Sequence, residues 1–153
     1  MNYWLMKSEP STFGIADLAA MPGQSEHWDG IRNYQARNFM RDGMRLGDLA
    51  FFYHSNCPMP GIVGIVAIVR EAYSDFTALD PESHYYDPKC TSDNNRWCMV
   101  DVKLQQIFSR TISLTELKPQ DALADMLTLR KGNRLSITPV SPTEWAHILT
   151  MHR

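Results

Sequence analysis

The apolar positions along the chain change their spacing several times, and each change marks an expected element. Residues 3–7 read as a short strand, broken at Ser8-Glu9-Pro10 because proline cannot donate to a ladder. Ile15, Leu18 and Ala19 fall at helical spacing, and Pro22-Gly23 stops them. Residues 24–32, carrying His27-Trp28-Asp29-Gly30, are expected to form a loop. Residues 33–41 predict a helix with Ala36, Phe39 and Met40 as its buried stripe, ended by Asp42-Gly43. Leu49–His54 reads as a strand after Gly47-Asp48, and residues 56–61 are rich in turn formers. Residues 62–69 are apolar at consecutive positions, the pattern of a strand covered on both faces and therefore central.

Residues 73–95 contain Pro81, Pro88 and many small polar groups, and predict a long loop. Long loops in small domains are commonly functional. Residues 97–107 alternate, with Cys98, Val100, Val102 and Leu104 inward and Asp101, Lys103 and Gln105 outward. Ser113-Leu114-Thr115-Glu116 has the pattern of a capping box. Residues 121–129 are expected to form a further helix, stopped by Lys131-Gly132, and residues 135–140 a last short strand. Ser141-Pro142-Thr143-Glu144 supplies the cap, the first-turn proline and the N3 glutamate of a final helix over Pro142–Met151. Strands mixed with short helices, without regular βα alternation, predict a small and mostly antiparallel α+β domain or barrel.

Composition narrows the function classes. A chain of 153 residues with 44% hydrophobic and 21% charged residues suits one globular domain with its own core. The eight-residue run 62–69 is too short to span a bilayer, which needs about 20 apolar residues. Cys57, Cys90 and Cys98 are odd in number and form no CxxC pair, so a disulfide framework is not expected and a reducing compartment is. The net charge of −2 hides an asymmetry. Residues 71–95 hold Glu71, Asp75, Asp80, Glu82, Asp87 and Asp93 against Lys89, a net of −5, which leaves about +3 for the rest. An acidic total therefore does not exclude a nucleic-acid partner.

Specific chemistry is sparse. The five histidines never reach metal-binding spacing, so no metal is expected. Gly61-Ile62-Val63-Gly64 lacks the GK[ST] of a phosphate loop, and there is no GxSxG elbow beside His54, Ser55 and Cys57. Asn33, Arg37 and Arg41 share one i, i+4 stripe, either a solvated face or a guanidinium row for phosphates. Trp28, Tyr34, Tyr53 and Trp97 each sit beside polar groups, the mixture that holds an unpaired base by stacking and edge hydrogen bonds.

Six runs then form one pattern. They are residues 3–10 (Tyr3-Trp4-Leu5-Met6-Lys7-Ser8-Glu9-Pro10), 28–39 (from Trp28-Asp29-Gly30 to Asn38-Phe39), 52–57, 60–65, 85–89 (Tyr85-Tyr86-Asp87-Pro88-Lys89) and 134–137 (Arg134-Leu135-Ser136-Ile137). In this order, over nearly the whole chain, they resemble the EVE domain family of the PUA-like superfamily. Departures are small: Ile31 stands where valine is more familiar, and Ile137-Thr138 where Val-Gln often stands.

The resemblance implies a single domain over residues 1–153, built as a bent, mostly antiparallel β-barrel of five to six strands surrounded by short helices. It implies a binding module for a modified base, with modified cytosine in DNA or another modified base in DNA or RNA as ligand. The implied base pocket is Lys7, Ser8, Glu9, Trp28, Asn33, Tyr34, Tyr53, His54, Ser55, Asn56 and Ser136. The implied phosphate contacts are Arg32, Arg37, Asn38, Arg41 and Arg134. No cofactor is implied, and a partner nuclease or helicase is expected to convert recognition into an effect. The expected location is cytoplasmic, or nuclear for a eukaryotic source. The alternative function is an enzyme like those of ASCH domains, hydrolysing an amide on a nucleobase-like substrate with Lys7, Ser8 and Glu9 as a base–nucleophile set.

Overall fold

The computed structural model describes residues 1–152. Six strands form one mixed sheet: β1 (Tyr3–Ser8), β2 (Ser25–Trp28), β3 (Leu49–His54), β4 (Gly61–Ser74), β5 (Cys98–Ser113) and β6 (Ile137–Val140), in the order β2-β5-β4-β3-β1-β6. Only β1 and β3 run parallel; the other neighbours are antiparallel. No pairing joins β2 to β6 among the described residues, so the barrel expected from the sequence is an open, curled sheet. The apolar run at residues 62–69 lies within β4, in the middle of the sheet as its pattern predicts.

Alternation along the strands builds two cores, one on each face. Trp4, Met6 and Phe52 pack with Trp28, Val100 and Val102 under the N-terminal helices α1 (Pro10–Phe13) and α2 (Ile15–Ala20). Leu5, Phe51 and Tyr53 pack with Phe108, Leu117 and Trp145 on the opposite face. Trp145 comes from α5 (Pro142–Met151) and stacks on Phe51 with ring centroids 3.9 Å apart. Both expected capping boxes form, Ser113 with Glu116 at α4 (Leu114–Leu117) and Ser141 with Glu144 at α5. The β4–β5 pairing shifts register four times. Each shift bends the hairpin and increases its twist, which lets a sheet of long strands curl. Gly64 permits one close approach, because a Cβ there would collide with the Gln106 carbonyl oxygen.

Several elements depart from the sequence expectation. Residues 25–28 are a strand, β2, rather than part of a loop, held by antiparallel pairing with β5. A four-residue strand with one apolar position has no readable period. The predicted helix 33–41 is α3 (Tyr34–Asn38) followed by a π-helical turn at Phe39–Gly43. β4 continues to Ser74 and β5 to Ser113, past the apolar residues, because two long strands satisfy each other's backbone. Residues 121–129 are two 3₁₀ turns, Asp121–Leu123 and Leu127–Leu129, instead of one helix. Met126 is extended between them, and the buried Thr128 hydroxyl then meets that of Thr138 in β6 at 2.6 Å.

Candidate functional site

The topology brings distant segments to one rim. β1 and β3 are parallel, so their C-terminal ends lie together, and antiparallel β6 begins beside them. The Lys7 N–H donates to the Ser136 carbonyl at 2.8 Å, and the Ser55 N–H to the Ser8 carbonyl at 3.0 Å. Across the gap stands the end of β2. Between these edges opens a cavity of about 720 Å³. One side carries Lys7, Ser8, Glu9, Ser55, Arg134 and Ser136; the other carries Glu26, His27, Trp28, Asp29, Gly30 and Ile31. Thr12 and Phe13, from α1 (Pro10–Phe13), and His84 and Tyr85, from the long acidic loop, complete the wall.

Trp28 is nearly buried and meets Phe52 edge-on at 5.4 Å, so it walls the cavity from the core side. Tyr85 provides the second ring. It packs against the α-carbon of Gly30: a Cβ there would lie 2.6 Å from the ring. Gly30 also has φ +78°, a left-handed conformation that glycine adopts without strain. A buried carboxylate holds this contact in place. Asp75, with no exposed surface, accepts from the Gly30 N–H at 3.0 Å, Arg32 Nη1 at 2.9 Å and the Thr77 N–H at 2.9 Å. Arg32 also donates from Nε and Nη2 to the Tyr85 carbonyl, at 3.1 and 2.7 Å. Arg32 and Asp75 thus weld the acidic loop to the Trp28-Asp29-Gly30 turn.

The lining is amphoteric, with Lys7 and Arg134 against Glu9, Glu26 and Asp29. Burial lowers the Lys7 ammonium pKa. Burial pushes the Asp29 carboxyl up, opposed by His27, whose Nε2 lies 3.6 Å away. His27 Nδ1 sits 2.7 Å from Glu26. Burial raises the Tyr85 phenol too, helped by nearby Asp29. Such a wall offers acceptors to an exocyclic amine and donors to a carbonyl or phosphate. The Ser8 hydroxyl donates to the Phe13 carbonyl at 2.6 Å rather than to Glu9, so Ser8 is not arranged as a nucleophile activated by its neighbours.

Of the residues expected in the pocket, Lys7, Ser8, Glu9, Trp28, Ser55 and Ser136 line it, with Arg134 from the expected phosphate set. Asn56, in a left-handed turn at φ 51°, reaches Glu9 at the rim with 3.3 Å between Nδ2 and Oε1. The remaining expected residues stand elsewhere. Asn33 caps α3, accepting from the Ala36 N–H. Tyr34 lies outside the cavity, stacked on Trp97. Tyr53 belongs to the core of the other face, where burial pushes its phenol up to about 12 and the Lys7 ammonium lies 5.6 Å from its ring centroid. His54 Nε2 accepts the Ile15 N–H at 3.1 Å. Arg32 is committed to Asp75 and Tyr85 rather than to solvent. Arg37 holds Asn38 and the Arg96 carbonyl, and Arg41 pairs with Asp42.

Sequence reasoning passed over Thr12, Phe13, Glu26, His27, Asp29, Gly30, Ile31, His84 and Tyr85 as site residues. Tyr85 stood in a recurring run, and Gly30 followed an aromatic–acid pair, but neither motif reveals that the two touch. Among the described residues no cluster of His, Cys, Asp and Glu is arranged to hold a metal ion, and no helix is long and apolar enough to cross a membrane.

This architecture, an open curled sheet with short helices and a polar–aromatic cavity at its rim, is a PUA-like α+β fold. Residues 2–151 match the EVE domain, and the chain belongs to that family. Thymocyte nuclear protein 1 of Danio rerio is 46% identical over 165 residues, 97% of this chain and 71% of the relative; that of Homo sapiens is 44% identical, over 98% and 73%. A Pseudomonas putida protein of known structure is 53% identical with a TM-score of 0.95, covering 99% of both chains. Human THYN1, solved in complex with 5-methylcytosine-containing DNA, is 44% identical with a TM-score of 0.95, covering 100% of this chain and 98% of that one. At 14% identity and a TM-score of 0.57, a Zygosaccharomyces rouxii YTH domain shares the fold, over 99% and 86% of the two chains.

Proposed function

We propose that this protein is a non-catalytic reader of a modified base, most directly a modified cytosine in DNA, held unpaired in the rim cavity. The observation that carries the reading is the cavity itself. Two rings, Trp28 and Tyr85, line about 720 Å³ together with the carboxylates of Glu9, Glu26 and Asp29 and the cations of Lys7 and Arg134. A flat base needs an apolar wall for its faces and paired donors and acceptors for its edge. The DNA complex of human THYN1 supports this ligand class. In this reading the lining residues Asp29 and Glu9 accept from the exocyclic amine of cytosine, and Lys7 and Arg134 meet its carbonyl or the adjoining phosphate. We place the protein inside the cell, where its three free cysteines stay reduced and a partner nuclease or helicase would act on the strand it marks.

The test is binding to matched single strands carrying cytosine, 5-methylcytosine or 5-hydroxymethylcytosine, as DNA and RNA, at low and moderate salt. One modified strand is expected to bind more tightly than its unmodified twin. Tyr85→Ala is expected to weaken that strand by about tenfold, within the 1–3 kcal/mol that stacking contributes per base. Glu9→Gln is expected to narrow the preference. Equal affinity for modified and unmodified strands would overturn the proposal.

A further inference from the structure

A row of rings and cations leads from the cavity wall to the surface. The Tyr85 ring lies 5.7 Å from the Arg32 guanidinium, and Arg32 lies 5.4 Å from the Trp97 ring. Trp97 stacks on Tyr34 at 5.0 Å, and the Arg37 guanidinium sits 4.8 Å from the Tyr34 centroid. The inner member Trp97 is buried, whereas Tyr34 is 51% exposed. Tyr34 is nonetheless fixed: Trp97 backs the ring, and its hydroxyl accepts from Arg96 Nη1 at 3.0 Å. An exposed tyrosine pinned on two sides has already lost the side-chain freedom that ligand binding would otherwise cost.

The charge around it is cationic. Arg37 donates only to Asn38 and a main-chain carbonyl, and Arg45 only to the Met44 and Asp42 carbonyls. Neither meets a carboxylate among the described residues. Arg41 pairs with Asp42, and Arg96 lies 3.7 Å from Asp87. Four guanidiniums therefore face two carboxylates, and the excess positive charge is held only by neutral carbonyl and amide oxygens.

We infer that this row is a track for the single strand flanking the base in the cavity. The exposed Tyr34 ring takes a neighbouring base, and the guanidiniums of Arg37, Arg41, Arg45 and Arg96 hold the phosphates beside it. Stacking on an aromatic ring tolerates any base, and guanidinium groups match phosphate oxygens two at a time. The occupant is thus a polynucleotide read without sequence preference, and the cavity alone supplies the selectivity. The assignment rests on the reading of the cavity as a base site for its biological meaning, but it is tested apart from it.

The experiment is fluorescence anisotropy with the full chain and labelled short single strands, modified and unmodified, across a salt series. Tyr34→Ala is expected to weaken both strands by the same factor, about five- to tenfold or more. Arg37→Gln combined with Arg41→Gln is expected to flatten the dependence of log affinity on log salt by about 1–1.5. Thermal melts verify folding. Should the Tyr34 variant melt early, Arg41→Gln alone reads the charge, since that side chain touches only Asp42. Folded variants that bind both strands like the parent, with the same salt slope, would overturn the track. Equal binding of modified and unmodified strands by the parent protein would instead remove the cavity reading, with the variants still deciding the track.

Discussion

Asp75→Asn is the substitution on which the geometry of the site makes its sharpest demand. The side chain is isosteric, but every hydrogen bond it makes is one it accepts. Oδ2 takes the Gly30 N–H and Arg32 Nη1; Oδ1 takes the Thr77 N–H and hydroxyl. An amide nitrogen in either place would face two donors, and Arg32, only 23% exposed at its side chain, would keep its charge without a partner. Removing one member of a buried pair costs about 3–5 kcal/mol, and partial exposure of Arg32 brings the expectation here to about 3 kcal/mol. At about 2–4 °C per kcal/mol for a chain of this size, the melting temperature should fall by about 6–12 °C. The pH dependence supplies a second constraint. Burial pushes the Asp75 carboxyl up, but hydrogen bonds from Thr77, Arg32 and Gly30 outweigh it and hold the pKa below the ordinary range. Its contribution is therefore present above the unfolded value of about 3.9 and lost as pH falls through the lower folded value. Differential scanning calorimetry of both proteins should show the full gap at neutral pH and a closing gap below about pH 4. Hydrogen exchange should quicken at the Thr77 and Asp87 amides while β4 and β5 keep their protection. A loss under about 1 kcal/mol at neutral pH, or a gap that persists unchanged in acid, would refute the account of Asp75 as the weld between loop and turn.

Three further outcomes follow from neighbouring features. Gly30→Ala combines a left-handed backbone, worth about 1–2 kcal/mol to a residue with a Cβ, with displacement of the Tyr85 ring; a lowered melting temperature and a shifted Tyr85 ring resonance should appear together. Trp145→Ala removes the ring stacked between Tyr3 and Phe51 and should cost about 3–5 kcal/mol in urea denaturation, with modified-base preference retained in the folded fraction. Burial lowers the His54 pKa, against a smaller opposing effect of Asp17, and its Nε2 must be unprotonated to accept from Ile15. Its stability contribution is whole above about pH 6.5 and is lost as pH falls below that toward the depressed folded value, so His54→Ala should flatten the slope of stability against pH in that window.

Local patterns proved legible where one physical cause acts alone. Ser113 and Ser141 announced their helices because a capping box joins residues three apart. Residues 62–69 announced a central strand because burial on both faces, complete from Ile62 to Val66, leaves no polar position there. Elsewhere a distant partner decided the conformation. β2 exists because β5 offers it a ladder, and residues 121–129 break into two turns because Thr128 reaches Thr138. The site divides in the same way. Lys7, Ser8, Glu9, Ser55 and Ser136 came from runs at strand ends and did arrive at one rim. Tyr53 went to the opposite core because a strand places neighbours on opposite faces, and Asn33 was already spent on capping α3.

The order of residues along the chain thus carried the family, the open α+β sheet's main strands and one wall of the cavity, since these rest on periodicity, caps and runs of adjacent residues. The opposing wall belonged to the tertiary structure. Tyr85 meets Gly30 across 55 positions only because a buried Asp75 collects Gly30, Arg32 and Thr77 at once. An acidic stretch that reads in isolation only as a long loop becomes the outer wall of the cavity because burying that carboxylate demands donors, and only the folded chain brings them within reach.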